Sequence, residues 1–215
     1  MRITILGTGT LAEALGSRWA RAGHDITVAG RSPVKARQLA QRLAALPAQR
    51  LGAIRAVPLA ESVADAEVVL LAVAYTGTED VLRAVGAPSG SLSGRTVIDP
   101  VNAVEHGVGM LRLPPGMSHA RRVAELAPGA RVVKAFHLFP SEQWTTGETA
   151  TVTVSICGDD PAALRTTEQL VRDVGAAATV FGGLDRARQL EEAAGFVISL
   201  AFSGVDPSRA VPAVP

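Results

Sequence analysis

The turn Gly7-Thr8-Gly9-Thr10-Leu11-Ala12 stands between an apolar strand and an amphipathic helix, and it constrains this chain more than any other stretch. Ile3, Ile5 and Leu6 form the strand, and Leu11, Leu15 and Trp19 recur at helical spacing after the turn. Strand, glycine turn and helix in that order are what a dinucleotide fingerprint requires. Gly7 permits the tight turn, Gly9 lets a pyrophosphate approach the backbone, and Ala12 lets helix and strand pack closely. The helix start adds unpaired N–H groups and the positive end of its dipole.

The same alternation continues. Strands are expected at Ile26–Ala29, Ile54–Val57, Glu67–Val73, Thr96–Ile98 and Arg131–Phe136. The run Glu67–Val73 is almost wholly apolar, as in a parallel strand buried on both faces. Between the strands, Ser32 caps a helix with Pro33 at its first position, and Leu39, Leu43 and Leu46 form its buried stripe. A helix is expected over Thr78–Val85, and Ser118 caps another that runs to Leu126. Strands alternating with helices predict an α/β fold, a Rossmann-type doubly wound parallel sheet. After Pro140 the character changes. Ser141–Ala150 reads as a polar linker, Thr151–Ile156 as an alternating strand, and Asp160-Pro161 as the start of a helix that Gly175 stops. A strand Ala177–Phe181 and a helix from about Asp185 to Phe202 follow, and the tail with Pro207, Pro212 and Pro215 reads as loose. We therefore expect a dinucleotide-binding domain over 1–140 and a small C-terminal α+β domain over 141–215. At 215 residues the chain has room for both, but not for a long all-helical catalytic domain.

Composition excludes several classes. A net charge of +1 leaves no broad footprint for nucleic acid or an anionic membrane. Cys157 is the single cysteine, so neither an internal disulfide nor a multi-cysteine metal site is expected. The longest apolar runs, Val68–Tyr75 and Phe196–Phe202, are too short to span a bilayer, and Met1 leads directly into a strand without a signal-peptide pattern. The expectation is a cytoplasmic protein.

The end of the second strand decides which nicotinamide cofactor fits. An NAD site places an Asp or Glu there to accept from the ribose hydroxyls. Here Gly30 is followed by Arg31 and Ser32, and Asp25 lies before the strand. Lys35 falls in the first turn of the second helix, where the dipole disfavours a cation unless an anion is bound nearby. Arg31, Ser32 and Lys35 can thus enclose a 2′-phosphate, which predicts NADP(H). His137 ends a strand at the sheet edge where ligands bind. It is a candidate to hydrogen-bond a ring or assist the proton that accompanies hydride transfer, beside the plainer reading of a structural histidine. His24, His106 and His119 show neither metal spacing nor a paired nucleophile and read as loop or surface residues. Cys157 reads as part of a Gly-Asp-Asp helix cap.

Taken together, Gly7-Thr-Gly-Thr-Leu11, Gly30-Arg-Ser32 with Lys35, Val132-Val-Lys-Ala-Phe-His-Leu-Phe-Pro140, Ile156-Cys-Gly-Asp-Asp160 and Leu184-Asp-Arg-Ala-Arg-Gln-Leu-Glu191 resemble the NADPH:coenzyme F-420 oxidoreductases over nearly the whole chain. The resemblance implies hydride transfer between NADP(H) and coenzyme F-420, a 5-deazaflavin co-substrate, with no metal, and a homodimer. It implies that Thr8, Gly9, Thr10 and Leu11 line the pyrophosphate, that Ala74 and Tyr75 border the ribose and nicotinamide, and that Val104 meets the nicotinamide end. Pro100 and Asn102 lie in the loop of Val104 and read equally as turn residues or ligands. Two departures stand out: the fingerprint is one residue tighter than in typical relatives, with Ala12 in place of the third glycine, and the tail is proline-rich. Alternative readings are a reductase of another acceptor (flavin, ferric ion or imine) and a non-catalytic NADP(H) sensor.

Overall fold

The computed structural model describes residues 1–47, 51–105, 107–146 and 152–210. Among these residues eight strands form one sheet. They are β1 (Arg2–Leu6), β2 (Asp25–Ala29), β3 (Ile54–Ala56), β4 (Val68–Leu71), β5 (Thr96–Asp99), β6 (Arg131–Lys134), β7 (Thr153–Gly158) and β8 (Ala177–Gly182). Their order across the sheet is β3-β2-β1-β4-β5-β6-β7-β8. Every neighbouring pair is parallel except β6 and β7, which meet antiparallel at Val133–Gly158 and Lys134–Cys157. The strand order reverses between β1 and β4, and in open sheets ligands bind at such a switch point, beyond the carboxyl ends of the strands. The residues after Pro140 extend this same sheet through β7 and β8.

Among the described residues seven helices cover it: α1 (Thr10–Arg21), α2 (Pro33–Ala44), α3 (Thr78–Ala84), α4 (His119–Leu126), α5 (Ser141–Thr146), α6 (Pro161–Asp173) and α7 (Ala187–Phe202). Successive strand residues point to opposite faces, so β4 feeds two cores. Val68 and Leu70 join Leu15, Trp19 and Leu39 on one side. Val69 and Leu71 join Leu82, Val97 and Val123 on the other. The expected caps are present: the hydroxyls of Ser32 and Ser118 accept from Lys35 N at 3.3 Å and Arg121 N at 3.0 Å. Asp160 Oδ1 accepts from Ala163 N at 2.8 Å.

Several expectations need correction. Ser141–Thr146 is helix rather than linker, because Trp144 is fully buried there, edge-on to Phe136 and Phe139 at 5.4 and 5.9 Å. A single large aromatic overrides the polar pattern around it. Residues 147–151 and the end of the tail, with Pro212 and Pro215, lie outside the described residues, as does His106. The last helix begins at Ala187, preceded by a 3-10 turn over Leu184–Arg186. Asp25 is the first residue of β2, and its carboxylate accepts from Ala53 N at 2.8 Å. His24 is buried, with its ring between the Met1 amino group at 3.1 Å and Asp173 at 2.7 Å.

Candidate active site

Two cavities adjoin at the carboxyl edge of the sheet. The first is lined by Gly7, Thr8, Gly9, Gly30, Arg31, Ser32, Lys35 and Ala72–Ala74, with Val81 behind them. Gly7 has φ +136, and a Cβ there would lie 1.9 Å from the Ala72 carbonyl oxygen, so only glycine fits. A Cβ at Gly9 would meet nothing within 4 Å, which leaves room for a ligand against the backbone. Gly9 has no side chain to cap α1, so its first-turn N–H groups stay available for an anion. Arg31 and Lys35 are exposed, and among the described residues neither is paired with an acidic group. Thr10 and Leu11 stand apart from this lining. The Thr10 hydroxyl accepts from Ser141 Oγ at 3.2 Å, and Leu11 packs on the core.

The second cavity is lined by Ala74, Tyr75, Thr76, Asn102, Val104, Ile198 and Phe202. Ala74 belongs to both. No side chain in this second lining carries a charge. The Val104 segment bridges antiparallel to Leu111, and α7 clasps the loop: Ser199 Oγ donates to the Val108 carbonyl, and Arg188 donates to Pro114 O at 2.7 Å and Met117 O at 2.9 Å. Asn102 Nδ2 donates to the His137 carbonyl at 2.6 Å, whereas Asn102 Oδ1 is buried without a partner. A buried acceptor left unpaired costs about 1–3 kcal/mol, so Asn102 Oδ1 is available to accept from a donor.

His137 does not line this cavity. The residue is 6% exposed, and its Nδ1 has no partner. Burial, reinforced by the Lys134 charge and only partly opposed by Asp99, pushes its pKa down to about 3. Its imidazole is therefore neutral at neutral pH, which opposes service as a proton donor. His137 reaches the site through its backbone carbonyl. The preceding Phe136 adopts φ +59, in the left-handed region, with its ring between Trp19 and Trp144. Cys157 is fully buried, and burial pushes its thiol up to about 12. It is a packing residue beside the Asp159 and Asp160 caps.

The sequence reading missed a buried ionic cluster just beneath the second cavity. Lys134 Nζ lies 3.2 Å from Asp99 Oδ2 and 2.9 Å from Glu191 Oε1, and it donates to the Val101 carbonyl. His119 Nδ1 lies 3.0 Å from both Asp99 oxygens, and its Nε2 lies 3.0 Å from Thr78 Oγ1. Glu191 also accepts from His119 N at 2.9 Å and Ala120 N at 3.2 Å. His119, expected in a loop or at the surface, is thus a core residue at the start of α4, 2% exposed, and Asp99, Lys134 and Glu191 are fully buried. Burial alone would raise the Asp99 pKa, but the charges of His119 and Lys134 overcome it and hold the carboxyl well below its usual range. The signal was present in the sequence: Glu191 falls on the stripe Ala187, Leu190, Ala194, Gly195 that α7 buries. Among the described residues no His, Cys, Asp and Glu group is arranged to hold a metal, and no helix is long and apolar enough to cross a membrane.

Residues 2–103 match the family model described as NADP oxidoreductase, coenzyme F420-dependent. The metalloreductase STEAP3 of Rattus norvegicus is 28% identical over 191 residues, 88% of this chain. The chain spans only 36% of the length of that relative. Among solved structures, a protein of Arthrobacter sp. FB24 provisionally named an F420-dependent NADP-reductase superposes with TM-score 0.79 at 23% identity, covering 95% of this chain and 96% of that one. The hypothetical protein SMa0349 of Sinorhizobium meliloti gives 0.72 at 27% identity over 86% of both chains. A reductive aminase of Aspergillus terreus, solved with NADPH and ethyl levulinate, gives 0.68 at 20% identity, with 94% of this chain covering 62% of that one. The first and third of these structures share the fold with this chain.

Proposed function

We propose that this chain, whose residues 2–103 match the model of the coenzyme F420-dependent NADP oxidoreductases, is a member of that family and transfers a hydride between NADP(H) and coenzyme F-420. The observation that carries this reading is the join of the two cavities at Ala74. A dinucleotide laid across the join has its phosphates over Gly7–Gly9 and α1. Its 2′-phosphate then falls among Arg31, Ser32 and Lys35, and its nicotinamide enters an uncharged slot edged by Tyr75, Val104, Ile198 and Phe202. Two stacked ring systems fit such a slot better than a hydrated ion does, and the buried Asn102 Oδ1 offers an acceptor to a carboxamide N–H.

NADPH, oxidised F-420 and a proton give NADP⁺ and reduced F-420, so the two rings carry the electrons and the protein supplies orientation. Tyr75 and Val104 exclude water from the slot, and Arg31 and Lys35 anchor the far end of the dinucleotide. The proton comes from solvent in this scheme, since the neutral, enclosed His137 is unsuited to give it.

The similarity to STEAP3, which runs through 88% of this chain, favours a flavin or ferric acceptor as the second reading. Stopped-flow absorbance with NADPH and, separately, F-420, FMN and FAD decides between them. Rapid oxidation by F-420 alone supports the proposal. Transfer to FMN without transfer to F-420 overturns it in favour of the second reading, and transfer to none of the three also overturns it, leaving a ferric acceptor or a non-catalytic NADP(H) sensor. We further propose a cytoplasmic homodimer, paired through the exposed apolar residues Phe196 and Phe202 of α7 and Met110 of the neighbouring loop. Sedimentation at the mass of one chain would exclude the dimer.

A further inference from the structure

Four ionisable side chains, Asp99, His119, Lys134 and Glu191, are withdrawn from water directly behind the uncharged cavity. Burying such charges carries a desolvation cost, and apolar residues of similar volume often fill the same space with equal stability. Stability alone is therefore a weak reason for the cluster. Its connections are more informative. Lys134 pins Asp99 and the Val101 carbonyl, and so the loop that carries Asn102 and Val104. His119 joins Asp99 to Thr78, three residues beyond Tyr75, and meets the Tyr75 ring edge-on at 6.2 Å. Glu191 ties Lys134 and the start of α4 to α7. Ile198 lies about two turns further along α7 on the same face, and Phe202 about three.

Three separately connected walls of the cavity thus converge on one ammonium group: Asn102 with Val104, Tyr75, and Ile198 with Phe202. None of the four ionisable residues lines the cavity itself. Hydride transfer depends steeply on the approach of two carbons, and a misplacement of about 1 Å costs roughly a hundredfold in rate. We propose that Lys134, held by Asp99, His119 and Glu191, is a positioning residue that sets the spacing of these walls and hence the approach of nicotinamide and acceptor, while touching neither ring. The proposal rests on the hydride-transfer reading above.

Two variants of the full chain test it. Lys134→Met with Glu191→Gln removes the ammonium and one opposing charge together. Thr78→Val cuts only the link from His119 to α3. Each is assayed for NADPH affinity, for the emission of bound NADPH, and for single-turnover hydride transfer with protiated and deuterated cofactor. The phosphate cleft is untouched, so NADPH affinity should stay within about threefold while the transfer rate falls about 10–100-fold in the double variant and a few-fold in Thr78→Val. The emission of bound NADPH should shift in both, because Tyr75 and Val104 move relative to the nicotinamide. Wild-type transfer rates with unchanged emission in folded, NADPH-binding variants would overturn the proposal, as would a rate loss matched by an equal loss of affinity. If the double variant fails to fold, Thr78→Val decides alone. If the unmodified protein reduces no acceptor, the hydride-transfer reading has failed, and the emission of bound NADPH still shows whether the cluster shapes the pocket.

Discussion

Charge is used in opposite ways in the two halves of the site. At the proposed phosphate cleft, Arg31 and Lys35 stand in solvent with no acidic partner among the described residues. Behind the second cavity, every charge is enclosed and matched at about 3 Å. An exposed, unpaired cation costs the folded chain little and keeps its attraction for an incoming anion. A buried cation is bound permanently to its partners and has nothing left to offer a ligand. The first arrangement suits binding and the second suits shape, so substitutions in the two regions should fail differently.

The largest effect is expected at Lys134. Lys134→Met alone strands Glu191 without its ammonium and leaves Asp99 with His119 only, which should cost about 3–5 kcal/mol of stability. Urea unfolding measures it, and adding Glu191→Gln should recover part of the loss. A near-neutral Lys134→Met would break the comparison at once.

Arg31→Ala should do the reverse. NADPH affinity should fall by about 1.5–3 kcal/mol, on the order of ten- to a hundredfold. NADH affinity should be unchanged, and unfolding should stay within about 0.5 kcal/mol of the unmodified protein. Calorimetric titration with both cofactors checks this, and equal affinity of the unmodified protein for NADH and NADPH would remove the role assigned to Arg31.

Legibility in the sequence divides along the same line. That Gly7, Gly9, Arg31, Ser32 and Lys35 share one cleft was readable because their placement depends on local turns and helix starts, which a linear pattern reports. The strand and helix alternation was readable for the same reason. Trp144 was not, because its burial depends on Phe136 and Phe139 in another segment. Of the cluster only Glu191 left a local signal, on the buried stripe of α7; the grouping was not readable, since Asp99, His119, Lys134 and Glu191 lie on four elements that only the sheet order brings together. The enclosure of His137 was not readable either, because its position at a strand end is local, whereas its burial is tertiary.

The pH dependence of stability sharpens this point. With a folded pKa near 3 and an unfolded value near 6.5, His137 takes up a proton in the unfolded chain first. Stability should therefore fall as pH drops from about 6.5 towards 3, with a slope of up to about 1.4 kcal/mol per pH unit from this residue. The depressed carboxyl of Asp99 adds a further loss below about pH 4, where the unfolded form protonates and the folded form still resists. Lys134 and Asp99 are the charges facing His137 in both regimes. His137→Asn should flatten the profile between pH 6.5 and 4.5 and leave the steeper loss below it. An unchanged profile would mean that the ring is not enclosed.

The smallest effect is expected at Ser32, where the two uses of polarity meet in one hydroxyl. Its oxygen accepts from Lys35 N while its hydrogen remains free to bond a phosphate oxygen, since a hydroxyl does both. Ser32→Ala should therefore cost about 0.5–1 kcal/mol of stability without cofactor, and more when NADPH is present. Ser32→Asp keeps the cap and favours the helix start, yet sets a negative charge against the 2′-phosphate. It should match the unmodified protein in unfolding and lose NADPH affinity more than Ser32→Ala does, with NADH affinity little changed. If Ser32→Asp bound NADPH as well as Ser32→Ala, the 2′-phosphate would lie elsewhere, and the solvated cations of this cleft would need another anion.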